Sequence, residues 1–282
     1  MIVHRIAAFT SGAHGGNPAG VALCEELPDA GTMQAVAAEV GYSETAFAAP
    51  AENGWRVRYF APEVEVDFCG HATIALGAAL AQREGSGTFS LELNRAEITV
   101  DGYQSAAGWG ASFRSPPTHS RNAPAALVAY VLALFGLTHG DLDERIPPAM
   151  ANAGPDYFIL ALRDRSVLSA MRYELEQGRD LARREGIMTF NLLYAETPEL
   201  FHARNPFPIG GVYEDPATGA AAAALGGYLR DLAWPHPGPI AIQQGEDMGV
   251  PCRLQVDIVG QPGAPVRVSG SVRAIHEAAT AP

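Results

Sequence analysis

At 282 residues the chain is long enough for two ordinary domains, and a chain of that size buries roughly three-quarters of its unfolded surface without a disulfide or metal to hold it. Hydrophobic residues make up 48% and charged residues 18%, which excludes intrinsic disorder for most of the length, and no apolar run approaches the roughly 20 residues of a membrane-spanning helix. A formal charge of −12 argues against a nonspecific nucleic-acid binder.

Short strands broken by turns are predicted through the first half. Strand-like stretches at 2–9 and 19–24 flank a glycine-rich loop at 10–18. From Asp29 to Val40 the pattern predicts a helix, closed by Gly41 as its C-cap. Strands are expected over 44–49 and 55–60, and the run GHATIALGAALAQRE after Cys69 is helical in composition. Strand-like sequence resumes at 88–93, 96–100 and 108–113. The stretch SPPTHSRNA at 115–123, with two prolines and several small polar residues, reads as a linker ahead of an apolar helix starting near Pro124. A boundary there gives domains 1–117 and 122–282. Further strands are expected near 155–162 and 189–194, a helix opening near Pro216, and strands at 240–244, 254–259 and 266–275, the last able to complete either domain.

The two halves share a pattern. Arg58-Tyr-Phe-Ala-Pro62 and Arg204-Asn-Pro-Phe-Pro208 each lead, at the same spacing, to a chemically distinctive residue, Cys69 and Asp215 respectively. Each then runs into a helix of small and apolar residues, 74–80 in one half and 220–229 in the other. A helix without a polar face has to be enclosed, most simply by a curved sheet. An ordinary alanine-rich core helix explains either one alone; finding two favours enclosure.

Such helices begin with unpaired N–H groups and a partial positive charge, a natural seat for a carboxylate or phosphate. Gly70 and His71 lie at one start, Thr218, Gly219 and Ala220 at the other. Capping by Thr218 or Asp215 is the bland alternative. Glu44 stands in an otherwise uncharged stretch, GYSETAFAAP. A carboxylate withdrawn from water there holds its proton more tightly and suits general acid/base work; an outward-facing strand residue is the other reading. His71 and Asp215 are similarly open between ligand contact and helix capping.

All 19 basic residues are arginine, so a lysine Schiff base, a pyridoxal-phosphate aldimine and a lysine-bearing phosphate loop are excluded. No CxxC, HExxH or EF-hand pattern occurs, and no metal site is expected. The start of the sequence does not read as a secretory signal, and three widely spaced cysteines, Cys24, Cys69 and Cys252, fit free thiols in a reducing cytoplasm.

Taken in order, Gly16-Asn-Pro-Ala-Gly20, Ser43-Glu-Thr45, Arg58-Tyr-Phe-Ala-Pro62, Asp67-Phe-Cys-Gly-His-Ala-Thr73, Glu214-Asp-Pro-Ala-Thr-Gly219 and Gln244-Gly245 resemble the phenazine-biosynthesis PhzF-like family over nearly the whole chain. The resemblance implies an α+β fold of the diaminopimelate-epimerase-like kind. Two pseudo-symmetric domains each roll a mixed β-sheet into a barrel around a central α-helix, with the active site in the cleft between them. It further implies a cofactor-independent isomerase with Glu44 as acid/base and His71 and Asp215 contacting and orienting the substrate. Asn17, Gly70, Thr218, Gly219 and Ala220 are the matching binding positions, the partner being a small carboxylated metabolite rather than nucleic acid or membrane. A homodimer is common in the family. Two departures stand out: Ala220 replaces the family's serine, removing a hydroxyl donor, and the aromatic near Arg204 is displaced.

A racemase of the sister family would use two facing cysteines. Cys69 matches the first, but Pro216 stands where the second belongs, so Cys69 is expected to be a small buried packing residue. A small-molecule-binding protein that kept the fold without turnover is the third reading.

Overall fold

The computed structural model describes residues 1–106, 108–236 and 238–275. The chain divides into two compact units, Met1–Arg114 with the stretch beginning at Ser269, and Ser115–Val268.

In the first unit the elements are His4–Ala8 (β1), Asn17–Leu23 (β2), Ala30–Val40 (α1), Thr45–Ala51 (β3), Gly54–Phe60 (β4), Glu65–Val66 (β5), Gly70–Glu84 (α2), Gly87–Glu92 (β6), Glu97–Ser105 (β7) and Gly108–Arg114 (β8). The second contains His119–Asn122 (β9), Ala125–Phe135 (α3), Ala149–Asn152 (β10), Asp156–Leu162 (β11), Arg165–Ser169 (α4), Leu175–Glu185 (α5), Ile187–Ala195 (β12), Leu200–Phe207 (β13), Val212–Asp215 (β14), Gly219–Asp231 (α6), Ile240–Gln244 (β15) and Cys252–Asp257 (β16). A last strand, Arg267–Ala274 (β17), returns to the first unit.

β2 and β3 run parallel, as do β4 and β6, and parallel neighbours require a crossover. The first crossover is α1, which has Asp29 as N-cap and Gly41 as C-cap and packs Met33 and Ala37 on Ala22, Phe47 and Phe60. The second is α2, buried from His71 to Ala81 and in contact with β1, β2, β3, β6, β7 and β8. The remaining pairings are antiparallel between β1 and β2, β3 and β4, β6 and β7, and β7 and β8. β17 pairs with both β1 and β8 and closes the ring. An eight-stranded barrel therefore encloses α2.

The second unit repeats the order. β11 and β12 are parallel, joined through α4 and α5; β13 and β15 are parallel, joined through α6. Antiparallel pairs link β9 to β10, β10 to β11, β12 to β13 and β15 to β16, while β14 hangs on β13 as β5 hangs on β4. α6 lies against β9, β10, β11 and β16 and is buried along most of its length. On another face, Leu127, Val131 and Phe135 of α3 and Leu181 of α5 pack with Phe158, Leu160, Phe190 and Leu192. The two pseudo-symmetric sheet-around-helix units expected from the sequence are present.

One expectation needs amending and one left open is decided. The end of the segment read as a linker is strand β9, because His119 to Asn122 pair with Asn152 to Ala149. The final strand, expected within 122–282 or with either domain, aligns Ala274, Arg273 and Val272 against Ile6, Ala7 and Ala8 of the first unit. The expected end of that domain at 282 lies outside the described residues.

Candidate active site

The first cluster forms where β3 begins and α2 begins. Ser43 and Glu44 immediately precede β3, and the Glu44 carbonyl accepts from Gly20 N–H of β2, which fixes the entry of the strand. The Glu44 side chain is 18% exposed, and its Oε2 is buried without a hydrogen-bond partner. That oxygen lies 3.4 Å from His71 Nε2. Ser43 Oγ stands 3.3 Å from the same nitrogen.

His71 is held from the other side. Its Nδ1 lies 3.3 Å from Cys69 Sγ. With the proton on Nδ1 the sulfur accepts, and Nε2 is left to accept from the Ser43 hydroxyl; with the proton on Nε2 the roles reverse. Cys69 is the N-cap of α2 but makes no side-chain cap bond. Thr73 supplies the turn instead: its hydroxyl donates to Cys69 O at 2.7 Å and accepts from Tyr59 O–H at 2.7 Å. Burial pushes the Tyr59 phenol far above its ordinary range, which keeps it a donor. The motif Cys-Gly-His-Ala-Thr is thus a self-supporting first turn that fixes the imidazole.

Cys69 was expected to be packing only. It is buried, but its thiol is part of this polar cluster, and Glu44, Cys69 and His71 place donor atoms within 4.8 Å of one another. Asn17, at the head of β2, is buried opposite Ala8.

In the second unit the start of α6 is built by Gln244. Its Oε1 accepts from Thr218 N–H at 3.2 Å, and its Nε2 donates to Asp215 O at 2.6 Å. Thr218 Oγ1 donates to Asp215 Oδ2 at 2.5 Å. Thr218 occupies the N-cap position without capping the helix through its own side chain. Gly219 is buried and Ala220 half-buried at the first turn. Gly245 has to be glycine: its φ is +75°, and a Cβ there would collide with the Val250 carbonyl and come within 2.9 Å of that of Pro216.

Neighbouring carboxylates are separated by an ion pair. Arg204 donates to Glu214 through Nε at 3.0 Å and through its terminal nitrogen at 2.5 Å, both side chains being buried. Asp215, next in the chain, is left half-buried beside Thr218. Asp215 also adds its negative charge to the burial that raises the Tyr157 phenol. The same tie recurs in the first unit, where Arg58 donates to Glu65 at 2.7 and 2.6 Å. In both units an arginine of one strand grips a glutamate on the short strand that feeds the central helix.

Sequence reasoning had placed Glu44 with His71, and Asp215 with Thr218, Gly219 and Ala220; each set is close within its own unit. It gives no role to the Ser43 hydroxyl or to Tyr157, considers the Cys69 thiol only in the racemase reading, and hints at the cap only through the motif Gln244-Gly245. These geometries coincide with a family model described as phenazine biosynthesis-like protein, which matches residues 6–278. The chain belongs to that family. It is 34% identical over 269 residues to a protein of Deinococcus radiodurans named as an uncharacterized isomerase, covering 90% of this chain and 85% of that one. A phenazine biosynthesis protein of the PhzF family from Bacillus anthracis superimposes with a TM-score of 0.85 at 22% identity, over 97% of this chain and 96% of that one. A probable proline racemase from Agrobacterium radiobacter gives 0.65 at 10% identity, over 99% and 93%. This member of the PhzF-like family is an isomerase with a diaminopimelate-epimerase-like fold. No helix among its described residues is long and apolar enough to cross a membrane.

Proposed function

We propose that the enzyme isomerises a small carboxylated substrate by moving one proton, without a cofactor, and that Glu44 carries the proton in both directions. The observation that carries this reading is the Glu44 carboxyl: Oε2 is buried and makes no hydrogen bond of its own, yet the side chain retains access to solvent. A lone pair left without a partner inside the protein is costly unless a ligand proton meets it. His71 stands beside that oxygen and Ser43 beside the same imidazole nitrogen, suited to orienting a substrate and to steadying the charge on the carboxylate. A carrier that gives back the proton it took must be shielded from exchange with water, which burial of this oxygen favours.

Asp215 and the donors around the α6 start, Thr218, Gly219 and Ala220, are assigned to substrate binding on family membership, with Asn17 and Gly70 alongside. The N-cap residue Thr218 spends no side-chain bond on capping α6, which supports a carboxylate ligand there. Ala220 provides a backbone N–H but no hydroxyl.

The test is proton exchange. Candidate carboxylated metabolites are incubated with enzyme in deuterated water and read by NMR and mass spectrometry. Glu44→Gln is expected to lower exchange by about 10²–10⁴-fold, the usual worth of a general acid/base. Exchange retained in that variant removes Glu44 from its role.

The thiol favours one second reading, an epimerase in which Cys69 returns the proton on the opposite face. Its 3.3 Å contact with His71 Nδ1 is the supporting observation. Cys69→Ser would then abolish inversion while leaving exchange at one face.

A further inference from the structure

We infer that Glu44, Cys69 and His71 form a binding site for a borderline divalent cation, Zn²⁺ in particular, and that an ion held there shuts the enzyme off. The three side chains offer one carboxylate oxygen, one sulfur and one imidazole nitrogen, the donor types zinc selects. Their spacing suits a single ion. Zinc bonds of about 2.0–2.3 Å in tetrahedral geometry set ligand edges of about 3.3 Å from nitrogen to oxygen and about 3.6 Å from nitrogen to sulfur. Here His71 Nε2 is 3.4 Å from Glu44 Oε2 and 3.9 Å from Cys69 Sγ. The third edge, from Glu44 oxygen to Cys69 sulfur, lies within 4.8 Å, so the carboxylate and thiol have to draw together as the ion binds.

The surroundings favour the ion as well. Glu44 Oε2 has no competing hydrogen bond to give up. His71 is fixed by the first turn of α2, so the ligand set is assembled in advance rather than at a cost in side-chain freedom. Ser43 is exposed and its hydroxyl touches the same imidazole nitrogen, which marks a path from solvent. Three protein ligands leave a fourth position for water, so the ion is held but remains accessible to a chelator. Binding takes the thiol and imidazole without their ligand-site protons, and those protons pass to solvent.

The inhibitory half rests on the reading of Glu44 as proton carrier; the binding half does not. A carboxylate bonded to Zn²⁺ has lost the lone pair that would accept the substrate proton.

Co²⁺ serves as the coloured probe for the same site. Titrated into the metal-free, reduced wild type, it is expected to produce a sulfur-to-cobalt charge-transfer band and ligand-field absorption of tetrahedral intensity, both removed by Zn²⁺. The band should vanish in Cys69→Ser and persist in Cys24→Ser, and Zn²⁺ affinity should fall about 10-fold or more in His71→Asn and in Glu44→Gln, the scale set by losses at metal sites. X-ray absorption on the wild-type Zn²⁺ complex provides a reading that needs no variant: one sulfur at about 2.3 Å with nitrogen and oxygen completing the shell. A shell without sulfur, or a band that survives Cys69→Ser, overturns the site. With sulfur-bound Zn²⁺ in place, proton exchange should stop and return on adding EDTA. Exchange that continues at full metal loading overturns the inhibition and the Glu44 assignment together, while the ion site stands.

Discussion

Gly102 of β7 faces the carbonyl of Gly77 on α2 so closely that a methyl group on Gly102 would overlap the carbonyl oxygen. This is backbone against backbone, the contact that lets a barrel close tightly on its helix. Gly102→Ala is therefore expected to cost the upper end of the overpacking range, about 3 kcal/mol. Gly77→Ala instead meets the side chains of Val100 and Ala111 rather than backbone, and gains about 1 kcal/mol of helix propensity in return. Urea unfolding of the two variants should rank Gly102→Ala as much the weaker protein; equal midpoints would show that β7 shifts freely.

The buried Arg204–Glu214 pair predicts an asymmetry. Arg204→Met strands a buried carboxylate and also releases the Ser169 and Met171 carbonyls that Arg204 binds at 3.0 and 3.3 Å. A loss of about 3–5 kcal/mol is expected. Adding Glu214→Leu removes the stranded charge and should restore part of that stability, because two charges lost together cost less than one. A double variant no more stable than the single one would mean that the carbonyl bonds, rather than the ion pair, dominate.

The matching pair in the first unit titrates. Hydrogen bonds from Arg58 hold the Glu65 carboxyl below its ordinary range, with Asn94 assisting. A depressed acid favours the folded state in full above its unfolded value of about 4.3 and ceases to do so as pH falls through its folded value. Wild type should therefore lose stability more steeply than Arg58→Met between about pH 5 and the acid limit of folding. Denaturant melts across that range give the slopes, and parallel slopes would dismiss the tie.

Gln244 joins structure to binding. In Gln244→Leu both Thr218 N–H and Asp215 O lose their partner. Beyond a stability loss of about 1–3 kcal/mol, KM for the carboxylated substrate should rise more than kcat falls, since the α6 start is disordered while Glu44 is untouched. A change confined to kcat would argue against a binding role for that helix start.

The architecture was legible because it is written in period and composition. Two helices without polar faces demanded enclosure, and the Asp29 and Gly41 caps bounded α1 correctly. β13 escaped notice for a physical reason. His202, Arg204 and Asn205 are buried there, but each is polar in sequence, so the strand lacks an apolar signature. Only the fold supplies their partners: Glu196 and Glu246 for His202, Glu214 for Arg204, Thr189 for Asn205. The site divided in the same way. The family resemblance pointed to Glu44, His71 and Asp215, whereas the proximity of Cys69 Sγ to the imidazole depends on how the first turn of α2 winds.

Because β17 completes the first barrel, that unit is finished by a strand made only after the whole of Ser115–Val268. Until then β1 and β8 present bare rims, while the intervening unit, Ser115–Val268, has all of its own strands. Such rims are templates for pairing with other chains. A nascent chain stalled short of that strand would be sticky in its first unit and sound in its second, and β17 acts as a clasp whose arrival ends that exposure.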